Sequence, residues 1–170
     1  MLNPEYKKIL DNIKKGITLQ QTRQTFKWAH EIEIDTHAHI MLGCPGDSKK
    51  TIDQTIEFAK EIDPTTATFG IYKSIPGSKI YEDIIKVHPE IADSSYYRYV
   101  NKIHSGDSSK IICGIPKEEI NKLMHKAYRK FYLRPNYVIK WLSKINSVDA
   151  LKRITLAGAN VIDFSLKKLG

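Results

Sequence analysis

The stretch His39-Ile-Met-Leu-Gly-Cys-Pro-Gly-Asp47 decides the fold of this chain. The stretch begins within a short apolar segment that predicts a buried strand over residues 34–42. The Gly-Cys-Pro-Gly segment that follows predicts a tight turn. Asp47 or Ser48 is then expected to cap a helix. Glycines in such a turn let the backbone approach a ligand, and a helix N-terminus favours an anion or another hydrogen-bond acceptor. The stretch therefore predicts a ligand-facing turn between a strand and a helix. The apolar stripe of that helix consists of Ile52, Ile56, Ala59 and Ile62.

The same arrangement occurs a second time along the chain. Residues 66–74 predict a strand, Pro76 and Gly77 a turn, and Ser78 the cap of a helix that runs to about Val87. Alternating helices and strands indicate an α/β fold with parallel strands. Two parallel strands alone make a poor core, so the sequence predicts that partner strands belong elsewhere.

The last third of the chain is predicted to be helical. After a loop-like stretch from 94 to 115, Pro116 begins a helix with strong apolar periodicity. Its core-facing positions are Ile120, Leu123, Met124, Ala127, Tyr128 and Phe131. Two further helices are expected, at about 136–145 and 147–168.

The net charge of +8 lies entirely in this last third. Residues 1–116 contain 15 Lys/Arg and 15 Asp/Glu, whereas residues 117–170 contain 12 Lys/Arg and 4 Asp/Glu. A basic segment can bind nucleic acid or an anionic membrane, but no aromatic-interleaved basic motif accompanies it. We therefore favour a solvated face, or one that docks on a more acidic part of the protein. Because no apolar run is long enough to span a bilayer, a cytoplasmic location is expected.

Cys44 and Cys113 are the two cysteines of the sequence. Their number and spacing give neither a disulfide framework nor a metal-ligand pattern. A protein-bound iron–sulfur cluster usually takes three or four thiolates. This chain by itself is therefore not expected to hold such a cluster.

Taken in order, several motifs make the chain resemble the second half of the catalytic barrel of radical S-adenosylmethionine (SAM) enzymes. It is most similar to the class that carries an N-terminal cobalamin-binding domain, which includes the anaerobic magnesium-protoporphyrin ester cyclases. The motifs are Ile9-Leu-Asp-Asn-Ile-Lys-Lys-Gly-Ile-Thr18, Met41-Leu-Gly-Cys-Pro-Gly-Asp47, Ser74-Ile-Pro-Gly-Ser-Lys-Ile-Tyr81 and Tyr128-Arg-Lys-Phe-Tyr-Leu-Arg-Pro135.

The resemblance implies a domain organisation and a set of cofactors. Residues 1–92 would form the C-terminal part of a partial TIM-like radical SAM barrel, residues 93–115 a linker or loop, and residues 116–170 an α-helical extension. The intact family uses SAM and a [4Fe–4S] cluster, and cobalamin is possible in the intact protein.

The resemblance also implies a SAM-facing surface. The strand before the first turn would pack Met41 or its neighbour Ile40 against the SAM adenine. The next strand would lie beside the adenine through its backbone near Tyr72. The remaining implied cofactor-binding positions are Gly43, Gly46, Asp47, Pro76 and Gly77.

Other parts of the family pattern have no counterpart in this sequence. These are the CxxxCxxC cluster motif, the first strands and the Gly-Gly-Glu segment that grips the SAM amino group. We expect the chain to begin midway through an ancestral domain, as a split, truncated or mis-started gene product. It would be inactive alone and would need a missing N-terminal half, from the same gene ancestrally or from a separate chain.

Two alternatives remain open. His37 and His39 share one face of a strand, and an HxH pair on a barrel strand is a metal-binding device of metallohydrolases. The other histidines lie in no matching motif, so contact with a substrate is the favoured role for this pair. The second alternative is a non-catalytic helical binding module that holds a partner through the basic segment.

Overall fold

The computed structural model describes residues 9–13, 15–89 and 109–143, and the separate positions 147, 152, 155, 158, 159 and 163. Residues 9–12 are helical. The elements that follow are α1 (Leu19–Glu31), β1 (His37–Leu42), α2 (Lys49–Glu61), β2 (Thr66–Ile71), α3 (Lys79–Val87), α4 (Ser109–Cys113), α5 (Lys117–Tyr132) and α6 (Pro135–Leu142).

The two strands form a parallel sheet, as the sequence predicts. The register pairs His37 with Thr66 at one end and Leu42 with Ile71 at the other. Both strands are shorter than predicted, because the chain enters and leaves them through polar or proline-containing segments. The described fold is thus a mixed α/β unit with mostly helices and a small parallel sheet.

Side-chain caps begin three of the helices at the predicted positions. Thr18 and Gln21 form a complete capping box at α1, and Ser78 accepts a hydrogen bond from the backbone N–H of Tyr81 at α3. Of the two candidates for α2, Ser48 is the N-cap, and its hydroxyl accepts from the N–H of Thr51. These caps satisfy backbone donors that a helix start leaves free, so the helix boundaries are encoded locally.

The hydrophobic core lies on one face of the sheet, between the strands and the helices α2 and α5. Alternation along the strands directs Ala38, Leu42 and Phe69 to this face. The predicted stripe of α2 is buried, and so are the core-facing positions predicted for α5, except that Tyr128 is partly buried. The helix α5 therefore packs on the same core as the sheet.

Three tyrosine hydroxyls lie along the outer edge of β2. The hydroxyl of Tyr132 accepts from the N–H of Ala67 at 3.0 Å and donates to the carbonyl of Ala67 at 2.6 Å. The hydroxyl of Tyr128 accepts from the N–H of Phe69 at 3.3 Å, and that of Tyr137 donates to the carbonyl of Thr65 at 2.9 Å. These contacts satisfy four of the backbone groups that a further strand could pair with, namely both groups of Ala67, the N–H of Phe69 and the C=O of Thr65.

Basic side chains of the last third pair with the acidic side of α2. Lys126 Nζ lies 2.8 Å from Asp53 Oδ2, and Lys130 Nζ lies 3.0 Å from Glu57 Oε1. Arg134 forms an ion pair with Asp63 and donates to the carbonyl of Lys60 at 2.9 Å. Part of the predicted basic face therefore docks on an acidic surface within this same chain.

The predicted loop from 94 to 115 differs from the structure at its end. Residues 109–113 form α4, with Ser109 and Ile112 buried. Apolar Ile111 and Ile112 lack a long periodic pattern around them, which is why the sequence did not reveal so short a helix. The tyrosines of this stretch (Tyr96, Tyr97 and Tyr99) lie outside the described residues, as does most of the helix expected at 147–168.

Within the described ranges, no helix combines the length and the apolar character that a membrane crossing requires.

Candidate functional site

The two glycine-containing turns lie at the same edge of the sheet. Because the strands are parallel, their carboxyl ends at Leu42 and Ile71 are paired neighbours. The backbone N–H of Tyr72 donates to the carbonyl of Leu42 at 2.7 Å and extends this pairing by one residue. In parallel α/β folds, ligands bind outside the carboxyl ends of the strands. The structure therefore brings together the two stretches that were predicted separately from the sequence.

Strand alternation separates the two residues proposed to contact an adenine. Ile40 is partly buried and packs against the core, whereas Met41 is 42% exposed. Since successive side chains of a strand point to opposite faces, only one of the two can face a ligand on the open face. That residue is Met41.

Close packing within the protein explains why the first turn position, residue 43, is a glycine. Gly43 has φ +77°, and a Cβ at this position would lie 3.2 Å from Ile120 Cδ1 and 3.5 Å from Cys113 Sγ. The helix α5 thus occupies the space that a side chain would need. Gly46 has φ +90°, and a Cβ there would meet Asn12 Nδ2 at 3.0 Å. Both positions need glycine for backbone and packing reasons, independently of a ligand.

Asp47 stabilises the turn from inside. One carboxylate oxygen accepts from the backbone N–H of Cys44 at 2.8 Å, and the other accepts from the hydroxyl of Thr51 at 2.7 Å. The residue is buried, and burial raises the pKa of its carboxyl group above the usual value. The side chain of Asp47 is therefore a structural bridge between the turn and α2, while Ser48 caps the helix.

The second turn is more open than the first. Gly77 has φ +82° and nothing within 4 Å of a Cβ, while Pro76 is partly exposed. The N–H of Ser78 donates to the carbonyl of Ile75 at 3.0 Å and closes this turn. Just before it, Ser74 is fully buried and its hydroxyl has no hydrogen-bond partner among the described residues. A buried hydroxyl without a partner is costly, and no pattern in the sequence predicts it.

His37 and His39 lie on the open face of the sheet. Their ring centroids are 4.4 Å apart. The ring nitrogens of His37 lie 2.5 Å from the hydroxyl of Thr66 and 3.0 Å from that of Thr68. Burial and the neighbouring His39 lower the pKa of His37. The two threonines therefore hold a neutral His37 in place.

The threonine contacts bear on the metal-binding alternative. Both nitrogens of His37 are already engaged, and a metal would have to displace a hydroxyl to bind there. In the ranges that the structure describes, no group of three His, Cys, Asp or Glu side chains could hold a metal ion. The spacing of Thr66 and Thr68, opposite an HxH pair on a neighbouring strand, is the sequence signal that would have predicted this clamp.

The two cysteines do not fit an iron–sulfur cluster. Cys44 is buried, and burial raises the pKa of its thiol to about 12. Burial raises the pKa of the Cys113 thiol as well. Thiolates are the cluster ligands, so both residues are poor candidates. Two cysteines are also fewer than the three or four thiolates that a protein-bound cluster usually takes.

Curated proteins similar to this chain are enzymes. An uncharacterised methyltransferase of Pyrococcus horikoshii is 32% identical over 133 residues, which cover 78% of this chain and 28% of that protein. The anaerobic magnesium-protoporphyrin IX monomethyl ester cyclases of Cereibacter sphaeroides and Rubrivivax gelatinosus are each 22% identical. The matches cover 74% and 76% of this chain, and 19% and 22% of the two cyclases.

The chain thus spans between 19% and 28% of the length of these relatives. The resemblance to the anaerobic magnesium-protoporphyrin ester cyclases, predicted from the motifs, is confirmed as a similarity in sequence. No family model matches the chain, and no solved structure matches it either.

Proposed function

We propose that this chain forms the SAM-facing C-terminal part of the catalytic domain of a radical SAM enzyme. The observation that carries the proposal is the meeting of two glycine-containing turns at the carboxyl ends of paired parallel strands. Similarity to a methyltransferase and to two ester cyclases over about three quarters of the chain supports it.

The residues of the two turns fit one side of a SAM site in different ways. Met41 offers an exposed apolar surface for an adenine ring and pairs with Gly70 of the neighbouring strand. The backbone from Ile71 to Lys73 follows directly, at the carboxyl end of that strand. The hydroxyl of Ser74 is a buried polar group in need of a partner. SAM would supply the carbon–sulfur bond of its sulfonium group for reductive cleavage.

The remaining turn residues shape this surface in the proposal. Gly43, Gly46 and Asp47 set the path of the first turn, and Pro76 and Gly77 set that of the second. Ile40 supports the strand from the core side. On the open face, we assign substrate contact to His39, with His37 held by its threonine partners as a positioning residue.

The cluster, and the cobalamin of the wider class, would be held by other parts of the enzyme. Those parts belong either to further sequence of the same polypeptide or to another chain, and this chain would be inactive without them. A cytoplasmic location is part of the same proposal.

SAM binding tests the proposed function. The chain is titrated with SAM by calorimetry, alone and together with the part of the Pyrococcus relative that lies outside the matched region. We expect Met41→Glu to weaken SAM binding at least tenfold. Ile139→Glu, at an exposed apolar position of α6, should leave it unchanged. Absence of SAM binding in both settings, or equal effects of the two variants, would refute the proposal.

A further inference from the structure

The open face of the sheet changes in character along its two strands. Alternation places every second side chain of each strand on this face. The register joins these positions in three pairs: His37 with Thr66, His39 with Thr68, and Met41 with Gly70. The face is therefore polar at the amino ends of the strands and apolar at the carboxyl ends, beside the two candidate turns.

Gly70 is the glycine of this face, and neither its backbone nor its packing requires one. Its φ lies outside the left-handed region, in contrast to φ +77° at Gly43 and φ +82° at Gly77. A Cβ at Gly70 would have no neighbour within 4 Å among the residues that the structure describes. Glycine weakens the interior of a strand, because it loses more conformational freedom on folding than any other residue. Such a glycine often marks a position where a ligand approaches the backbone closely.

The missing side chain leaves a gap in the open face, bordered by Met41 across the sheet and by Thr68 along β2. Carbon atoms in contact lie about 3.5–4.0 Å apart, so a flat ring resting on the backbone fills a layer of about that depth. A Cβ at Gly70 would occupy the same layer. The thioether of Met41 suits such a ring, because sulfur makes favourable contacts with aromatic edges. The gap therefore fits a flat ring better than a bulky group.

A hydrogen-bonding side chain lies one step away from this gap. His39 is exposed and pairs with Thr68. That pair lies two residues before the Met41–Gly70 pair, which is about 6.6 Å along the strands. The ring nitrogens of His39 have no hydrogen-bond partner among the described residues, whereas those of His37 contact two threonine hydroxyls. A ligand whose ring covers Gly70 can thus place a polar substituent at His39.

We propose that Gly70 determines the substrate specificity of this surface, and that the substrate carries a flat ring system with a hydrogen-bonding substituent such as a carboxylate. The ring lies on the backbone at Gly70 against Met41, and the substituent meets His39. The inference rests on the proposed function, since it names the substrate class of the same enzyme. Met41, between the turns and the open face, contacts both SAM and the substrate, which brings the two reactants together.

Binding of 2-naphthoate to the full chain tests the shape of the gap. This probe has a flat fused ring and one carboxylate. Its control, decahydronaphthalene-2-carboxylate, has the same carbon skeleton and charge but is not flat. We expect 2-naphthoate to shift the NMR signals of the His39 ring and the Met41 methyl group, and to bind at least fivefold more tightly than the control. Equal affinities, or no shift of these two signals, would overturn the proposal.

A size series at residue 70 tests the role of the glycine. Gly70→Ala and Gly70→Val should weaken binding of 2-naphthoate at least threefold and tenfold, respectively. Gly70→Ala should also raise the midpoint of thermal unfolding, because alanine reduces the conformational freedom of the unfolded chain. Unchanged affinity in Gly70→Val would overturn the proposal. So would a lower midpoint for Gly70→Ala, because the glycine would then have a structural role.

SAM distinguishes the substrate from the cofactor, and this inference from the proposed function. Saturating SAM should leave the affinity for 2-naphthoate unchanged within about twofold. Displacement of the probe by SAM would overturn the proposal, because the gap would then hold the adenine. Binding of the probe without any SAM binding would refute the proposed function and leave the ring site standing. SAM binding with equal probe affinity in wild type and Gly70→Val would refute this inference alone.

Discussion

The hydroxyl of Tyr132 makes two hydrogen bonds to one residue of the sheet, accepting from the N–H of Ala67 and donating to its carbonyl. The two residues are 65 positions apart in the chain. A single side chain of α5 thus takes the place of a neighbouring strand at this point. The pair ties the last third of the chain to the edge of β2.

Removing this hydroxyl should destabilise the protein. Tyr132→Phe leaves both outward groups of Ala67 without a partner, which should cost about 1–3 kcal/mol of unfolding free energy. Tyr128→Phe removes one longer bond, at 3.3 Å, and should cost about 0.5–1.5 kcal/mol. Urea denaturation measures both. An equal cost for the two variants would contradict the double role of Tyr132.

Alanine at the two turn glycines should separate backbone strain from packing. Gly77→Ala meets open space, so it should cost about 1–2 kcal/mol from the left-handed backbone alone. Gly43→Ala adds a contact with Ile120 Cδ1 and should cost about 1–3 kcal/mol more. Ile120→Val removes that atom, so the extra cost should shrink in its presence. A double-mutant cycle by thermal unfolding checks this coupling.

Asp47 and Ser48 should differ in their contribution to stability. Ser48→Ala removes the N-cap of α2 and should cost about 1 kcal/mol. Asp47→Ala leaves the buried N–H of Cys44 and the hydroxyl of Thr51 without their acceptor, so it should cost about 2–4 kcal/mol. Asp47→Asn retains one acceptor, so its stability cost should lie between those of Ser48→Ala and Asp47→Ala. Chemical denaturation at neutral pH gives the three values, and a smaller loss for Asp47→Ala than for Ser48→Ala would contradict the bridge.

The lowered pKa of His37 predicts how stability responds to acid. The folded state favours the neutral ring, so the unfolded state takes up a proton first as the pH falls below about 6.5. The contribution of His37 is thus fully present above that pH and is lost as the pH falls toward the folded pKa. His37→Asn should flatten this part of the stability profile. The comparison of wild type and variant between about pH 7.5 and 5 isolates His37 from the other histidines.

Local signals predicted much of the architecture. The caps at Thr18, Ser48 and Ser78 form hydrogen bonds within three or four residues, and the apolar stripe of α2 follows the helical period. Both can therefore be predicted from residues that lie close together in the sequence. The parallel pairing also follows from the alternation of helices and strands.

Contacts between residues that are far apart in the sequence could not be predicted in this way. The packing of Ile120 against Gly43 depends on where a helix from the far end of the chain lies, and so does the tyrosine edge. Met41 rather than Ile40 could be placed on the open face only once it was known which side of the sheet α5 covers. The candidate site was therefore predictable as a set of turns, while the role of each side chain within it required the fold.

The placement of α5 on the sheet has a consequence for biosynthesis. Ribosomes add roughly 5–20 residues per second, so the 65 residues between Ala67 and Tyr132 take roughly 3–13 s to synthesise. During that interval, the apolar face and outer edge of β2 have emerged without the helix that later covers them. A nascent chain in this state is a substrate for chaperones, and slow translation between the two residues would prolong its exposure to aggregation.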